Sequence, residues 1–175
     1  MKLLKLINPE NVSEEEVKSY PVREAVRAIV VDEDGKIALL HVTEKNYYKL
    51  PGGGIEKGEE KIIALKRECL EEIGCDVEVI NEIGIIVEYR KLLNPRNLKQ
   101  TSYCYLAKIK GEKGIPEFTE SEKRNGFEGI WLTYDEALKA LTESQALNNE
   151  GKYYIVPRDR AFLEEADNLV SSLSA

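Results

Sequence analysis

Three glutamates, Glu68, Glu71 and Glu72, crowd together directly after Arg67 in a segment that otherwise reads as a helix. At about 100° per residue they share one arc of the helix, away from the centre of its apolar stripe. Ala64 falls in the same arc and leaves space above the carboxylates. Like charges three and four residues apart cost a few tenths of a kcal/mol per pair, about 0.2–0.5. Water and salt can screen such a face if it is simply exposed. Alternatively a hard divalent cation can sit among the oxygens, since Mg²⁺ prefers carboxylate ligands and often retains several waters. The preceding Pro51-Gly52-Gly53-Gly54 run favours the second reading. Glycines let backbone approach a ligand closely and adopt positive φ, although a plain flexible loop has the same composition. Arg67 can hold a carboxylate in a bidentate fork or form a routine surface ion pair.

The spacing resembles the Nudix box, Gly-x5-Glu-x7-Arg-Glu-U-x-Glu-Glu-x-Gly-U, where U is apolar. Gly53, Glu59, Arg67, Glu68, Cys69, Glu71, Glu72, Gly74 and Cys75 meet it in order. Cysteine at both U positions is less usual than an aliphatic residue, yet it remains a small buried hydrophobe. The leading strands, Leu50 to Gly54 and Trp131 extend the likeness over roughly residues 22–142.

The resemblance implies an α/β (α+β) domain with a mixed β-sheet in an α/β/α sandwich, the box forming a loop–helix–loop. It implies a metal-dependent hydrolase that cleaves the diphosphate linkage of a nucleoside diphosphate derivative, a nucleotide pyrophosphatase. Glu68, Glu71 and Glu72 would bind Mg²⁺ or Mn²⁺, with Glu68 or Glu72 nearest the chemistry and the Gly53 carbonyl as a further ligand. Arg67 would orient Glu68. Glu59 would support the loop through an ion pair, and Gly52, Gly54 and Gly74 would shape its ends. A carboxylate from a later loop often joins such sites, and Glu117, Glu120, Glu122 and Glu128 are the candidates, with Glu122 or Glu128 favoured. A nucleotide sensor of the same fold without turnover is the alternative, though such modules usually lose box carboxylates. An interaction domain on this fold is a third.

Substrate residues lie outside the box. Tyr47 and Tyr48 precede the glycines, where a ring could stack on a base. Strand alternation would point one inward and the other outward; core packing explains both equally well. Arg90, with Lys91 and Arg96, could meet distal phosphates or be surface charge. Arg90 stands where ADP-ribose-cleaving relatives usually carry proline, which argues against that substrate. His41 and Trp131 read as packing residues. Cys69 faces the core with no histidine near in sequence, so no thiol mechanism is expected.

The positioning elements follow from periodicity. VREAVRAIVVD and KIALLHV flank Glu33-Asp34-Gly35 as a hairpin, and Tyr47–Leu50 is a short extended piece. Glu60–Ile73 is a helix whose Ile62, Leu65, Cys69 and Ile73 form its apolar stripe, with Gly74 at its C-cap. VEVINEIGIIVEYR reads as one or two strands, SYCYLAKIK and GIWLTY as others, and residues 111–127 as a polar loop. Tyr134–Thr142 is a short helix and Asp159–Leu173 an amphipathic one. Ser13 to Glu16 has the form of a capping box, ended by Pro21.

The chain has 175 residues, 42% of them apolar and 33% charged, enough for one domain over 1–175 with an N-terminal extension and a C-terminal helix. Its net charge of −7 argues against a general nucleic-acid polymer as partner but permits a small phosphorylated ligand through a metal. Three cysteines in apolar settings point to a reduced, cytoplasmic protein, and no membrane span or signal peptide is expected. The chain ends are free to cover the sheet or to form a homodimer interface.

Overall fold

The computed structural model describes residues 1–91 and 97–173. Seven strands form one mixed sheet: β1 (Leu3–Ile7), β2 (Val22–Val31), β3 (Ile37–Val42), β4 (Tyr47–Lys49), β5 (Val77–Arg90), β6 (Leu98–Ile109) and β7 (Phe127–Leu132). The order is β1-β5-β6-β2-β3-β4, and β7 pairs with β3. The helices are α1 (Glu14–Val17), α2 (Lys61–Ile73), α3 (Glu120–Arg124), α4 (Tyr134–Glu143), α5 (Val156–Glu165) and α6 (Asp167–Leu173). A π-helical turn, Gly151–Ile155, leads into α5.

Strand alternation divides the core. Val26, Ala28 and Val30 of β2 pack with Ala64, Leu65, Cys69 and Ile73 of α2 on one face. Ile29 and Val31 point to the other face, against Leu141 of α4, Phe162 and Leu163 of α5 and Val170 of α6. The result is the expected α/β sandwich with helices on both faces of a mixed sheet.

The hairpin closes at Asp32, whose carboxylate accepts the Asp34 and Lys36 N–H groups, while Gly35 takes φ 75°. β2 pairs with β3 only at Val31–Ile37; along its length it runs parallel to β6, from Val22–Lys99 to Val31–Lys108. VEVINEIGIIVEYR is one strand bent by irregularities between Val79 and Asn81 and between Glu82 and Gly84. At Gly84 a Cβ would run into the Leu4 side chain, so glycine lets β1 lie alongside. The N-terminal residues add a parallel edge strand, Leu3–Ile7, which extends the sheet beside β5.

Other departures are local. The 111–127 loop contains α3, capped by Thr119 and Glu122 in a reciprocal capping box. The C-terminal helix starts earlier, through the π turn, and breaks at Ala166 into α5 and α6. Ile62 lies outside the buried stripe, and Ala64 takes its place there, packed in the core with Leu65, Cys69 and Ile73. Ser13 caps α1 by accepting the Glu16 N–H, and α1 ends at Val17, short of Pro21. No helix among the described residues is long and apolar enough to cross a membrane.

Candidate active site

α2 stops at Gly74, whose left-handed φ of 66° and N–H bonds to Cys69 and Leu70 carbonyls form the C-cap. Its middle and C-terminal half face the glycine loop through Arg67, Glu68 and Glu72. Gly52 adopts φ 133°, and a Cβ there would collide with the Val26 carbonyl oxygen, so only glycine fits. The loop is tied to β2 by Ala28 N–H to Pro51 carbonyl (3.0 Å) and Val26 N–H to Gly53 carbonyl (2.9 Å). The Gly53 carbonyl thus already accepts one bond.

The crowded glutamates separate into two settings. Glu68 and Glu72, one turn apart, are buried, whereas the Glu71 side chain is half-exposed. The chain's own cations lie between them. Lys49 Nζ meets Glu72 Oε1 at 2.9 Å, and the Gly52 N–H donates to Glu72 Oε2 at 2.6 Å. Burial pushes the Glu72 carboxyl above its ordinary value, against the pull of Lys49 and the Gly52 N–H. Arg67 spends its fork on Glu59, with Nε to Oε1 at 2.9 Å and Nη2 to Oε2 at 3.0 Å. Its Nη1 reaches Glu68 at 2.8 Å and its Nη2 the Gly54 carbonyl at 3.1 Å. The Arg67 fork and the Glu56 N–H hold the Glu59 carboxyl down at about 2. A Cβ on Gly53 would strike the Glu68 carboxylate, so the missing side chain seats that group against the loop.

A cavity of about 310 Å³ has both an acidic wall and a basic one. Glu68, Glu72, Lys49 and the three glycines line it together with Arg23 and Arg27 of β2, Arg90 of β5 and Arg158 of α5. Tyr47, Glu122 and Glu150 complete the rim. A larger depression of about 780 Å³, beside Gly35, Asp135, Glu164 and Asp167, shares no residue with the glycine loop.

Asp159, next to Arg158, fixes the entrance to the loop. One Asp159 oxygen accepts the Leu50 N–H at 2.9 Å, and the other accepts Arg158 Nε at 2.6 Å. Burial works against the Arg158 charge, but Asp159 and Glu88 more than offset it and raise its pKa. Burial pulls the Arg27 guanidinium down to about 10, and repulsion from Arg158 adds to this.

The NUDIX domain model matches residues 21–155. The chain belongs to the Nudix family of hydrolases. The RNA pyrophosphohydrolase of Sulfurovum sp. (strain NBC37-1) is 32% identical to this Nudix chain over 143 residues, covering 71% of it and 85% of the relative. A protein of the same description from Pelagibacter ubique (strain HTCC1062) is 33% identical over 83 residues, or 46% of the chain. The chain spans about half of that relative's length, 51%. The solution structure of the E. coli ORF135 protein superposes with a TM-score of 0.59 at 22% identity, over 90% of this chain and 97% of that one, a likeness of fold.

Within this Nudix fold, Gly52, Gly53, Gly54, Glu68, Glu72, Tyr47 and Arg90 meet at one cavity. Arg67, Glu59 and Gly74 lie behind it as loop and helix contacts. Glu71 is not among the lining residues; its carbonyl accepts the Glu117 N–H at 2.7 Å. Tyr48 turns away from the cavity and stacks on His41, ring centroids 4.3 Å apart. Of the later carboxylates, Glu122 lines the cavity, while Glu120 pairs with Lys123 and Glu128 is exposed on β7. Trp131 packs at the edge of the α2-side core under Lys113, 3.9 Å from the ring. All three cysteines are buried, and burial pushes the Cys69 thiol up, away from nucleophilic use. Arg96 lies outside the described residues.

Sequence reasoning missed Arg23, Arg27, Arg158 and Asp159. A signal existed for each pair. Arg23 and Arg27 share strand parity with the buried Ile29 and Val31, and Arg158 and Asp159 fall in phase with Ile155, Phe162 and Leu163 at helical spacing.

Nudix hydrolases generally need a divalent metal. Among the described residues no three His, Cys, Asp or Glu side chains are gathered closely enough to hold one. The donor chemistry nonetheless fits a hard cation: Glu68, Glu72 and Glu122 offer only oxygen to the cavity. Lys49 and Arg67 occupy the carboxylates that such an ion would use.

Proposed function

We propose that this hydrolase cleaves the phosphoric anhydride bond of a nucleoside diphosphate derivative in the cavity between α2 and the arginine wall. The observation that carries the reading is the pair Glu68 and Glu72, buried one turn apart over a glycine loop that can admit phosphate oxygens. In this proposal Glu68 and Glu72 hold Mg²⁺ or Mn²⁺, with Glu122 as the carboxylate from the later loop. Glu71 and the Gly53 carbonyl join only if Glu71 swings inward and the carbonyl's second lone pair is used. When bound, such an ion screens the diphosphate charge and lowers the pKa of a water.

The chain's own residues do the rest. Glu68 or Glu72 accepts the proton of the attacking water as general base. Arg67 keeps Glu68 facing the cavity through its Nη1 bond, and Glu59 anchors Arg67 in turn. Lys49 neutralises Glu72 in the absence of a cation, and if a metal ion took its place the Lys49 ammonium would be free to meet a substrate phosphate. Arg90 faces the phosphates, and Tyr47 closes the rim beside the substrate. Residues 1–175 act as one unit in this reading, since Asp159 of the C-terminal helix holds the Leu50 end of the glycine loop. Three buried free cysteines support a reducing, cytoplasmic setting.

A second reading, with the 5′ end of RNA as substrate, is favoured by the names of the two relatives; the net charge of −7 weighs against a polymer. The experiment is a product-resolved screen with Mg²⁺ and with Mn²⁺ over nucleoside diphosphate derivatives, nucleoside triphosphates and 5′-triphosphorylated RNA. Nucleoside monophosphate release from a small substrate is expected. Binding of these compounds without product from any of them would move the assignment to a sensor.

A further inference from the structure

The basic wall of the cavity contains more cationic hydrogen-bonding capacity than the protein uses. Arg27, Arg90 and Arg158 are each at least nine-tenths buried. Arg27 Nε, Arg90 Nε, and both Nη atoms of Arg158 are buried without a hydrogen-bond partner. Arg158 Nη1 lies 3.5 Å from Glu88, an ion pair without hydrogen-bond geometry, and its Nη2 has no such neighbour. Arg27 makes one bond, from Nη1 to the Val26 carbonyl at 2.6 Å. Among the described residues, no carboxylate stands within ion-pair distance of Arg23 or Arg27. Leaving a buried charge unpaired is one of the costlier features a fold can keep, and unpartnered buried donors add to it.

The arrangement is held in place from behind. Arg23 Nη1 donates to Gln100 at 2.6 Å, Gln100 donates to Glu88 at 2.8 Å, and Arg90 Nη2 donates to Glu88 at 2.9 Å. Glu88 therefore supports Arg90 and Arg158 from the sheet, and Arg90 Nη1 also donates to Glu150 at 2.7 Å, while Arg90 Nε and both Arg158 Nη atoms keep no hydrogen-bond partner. Arg23 reaches over the glycine loop: a Cβ on Gly54 would lie 3.1 Å from its Nη2. An anion entering here would meet guanidinium groups from three elements in the cavity that Glu68, Glu72 and the glycine loop also line.

We propose that Arg23, Arg27, Arg90 and Arg158 form an anion site that seats a terminal phosphate of the substrate by direct hydrogen bonds, without a metal. A phosphate offers several oxygens in a tetrahedral array, which suits forked donors converging from different directions. The site rests on the cleavage reading only for its role in turnover. It implies a preference for a substrate carrying a chain of three phosphates, one end on the arginine wall and the anhydride bond at the acidic wall. A neutral group linked to a diphosphate would leave the arginine donors unanswered. A free nucleoside triphosphate and a 5′-triphosphorylated RNA share this chemistry.

The test uses the full chain in excess EDTA, titrated calorimetrically with inorganic tripolyphosphate, then with a nucleoside triphosphate and a short 5′-triphosphorylated RNA. Tripolyphosphate is expected to bind without metal and more tightly than orthophosphate. Arg23→Gln, at an exposed position and so safe for folding, should weaken binding roughly tenfold, about the loss of one charge-assisted hydrogen bond. Arg27→Gln should weaken it at least as much, with Arg27→Lys as the variant to use if the glutamine form unfolds. Glu72→Gln should bind no more weakly than wild type. Whichever of the two nucleotide ligands binds more tightly identifies the source of the triphosphate. No tripolyphosphate binding in EDTA, or binding untouched by both arginine variants, overturns the anion site. Turnover in Mg²⁺ is read separately: hydrolysis with no arginine effect removes this site and leaves the cleavage reading, and arginine-dependent binding with no hydrolysis does the reverse.

Discussion

Asp159→Asn should destabilise the protein far more than its isosteric shape suggests. Asp159 is fully buried and uses both oxygens, one on Arg158 Nε at 2.6 Å and one on the Leu50 N–H at 2.9 Å. Asparagine keeps one acceptor and turns an NH₂ toward the other donor. Arg158 is then a buried cation whose nearest carboxylate is Glu88 at 3.5 Å. Removing one member of a buried ion pair costs about 3–5 kcal/mol. Because Glu88 still offsets part of the charge, the lower end applies, about 3 kcal/mol. At roughly 2–4 °C per kcal/mol for a chain of this size, the melting temperature should fall by about 6–12 °C. Calorimetry and urea unfolding measure this directly. Replacing both partners, Arg158→Met with Asp159→Leu, removes the charges together and should cost clearly less than the two single changes summed. A shift below about 2 °C for Asp159→Asn, or strict additivity in the double variant, would refute the claim that this pair fastens the C-terminal helix to the glycine loop.

Gly52→Ala should lower stability by about 1–3 kcal/mol through backbone strain and the clash with the Val26 carbonyl. It should also reduce hydrolysis, because the Gly52 N–H would leave Glu72. Gly58→Ala is the control, at positive φ but with open space around it, and should retain full activity. For Asp32, burial raises the carboxyl, but the Lys113 hydrogen bond and the Lys36 and Asp34 N–H groups together outweigh it and leave the pKa below its ordinary 3.8. A depressed folded pKa contributes stability above the unfolded value and loses it as pH falls through the folded one. Wild type should therefore exceed Asp32→Asn in stability at neutral pH, and the gap should narrow as pH falls through 3.8 and on through the lower folded pKa. A gap independent of pH in urea titrations would contradict that origin.

The box was legible because its chemistry sits on one helix, where spacing alone fixes which side chains share a face. Its surroundings were legible only in part. The parallel edge strand Leu3–Ile7 has few buried residues and depends on pairing with β5, some eighty residues away, which local pattern cannot show. The answer to the crowded glutamates was hidden for the same reason. Lys49 reaches Glu72 across the fold from β4, and the Gly52 N–H arrives through a backbone conformation that no composition specifies. Alternation and packing of both rings were equally open for Tyr47 and Tyr48; Tyr47 packs with Ile155 and Tyr48 stacks on His41, and that Tyr47 is the one lining the cavity depended on Ile155 of the π turn being in place. The arginine wall draws on β2, β5 and α5: Arg90 was open to a phosphate reading from the sequence, but Arg23, Arg27 and Arg158 read as ordinary strand or helix charge until the elements met.

The central claim is that buried Glu68 and Glu72 carry anhydride hydrolysis at the glycine loop. The measurement that tests it most directly is steady-state kcat of wild type, Glu68→Gln and Glu72→Gln with Mg²⁺ and the best substrate of the screen, each variant checked by calorimetry. Loss of a general base predicts a fall of roughly 10²- to 10⁴-fold in at least one variant with the fold intact. Near-wild-type kcat in both folded variants would contradict the account.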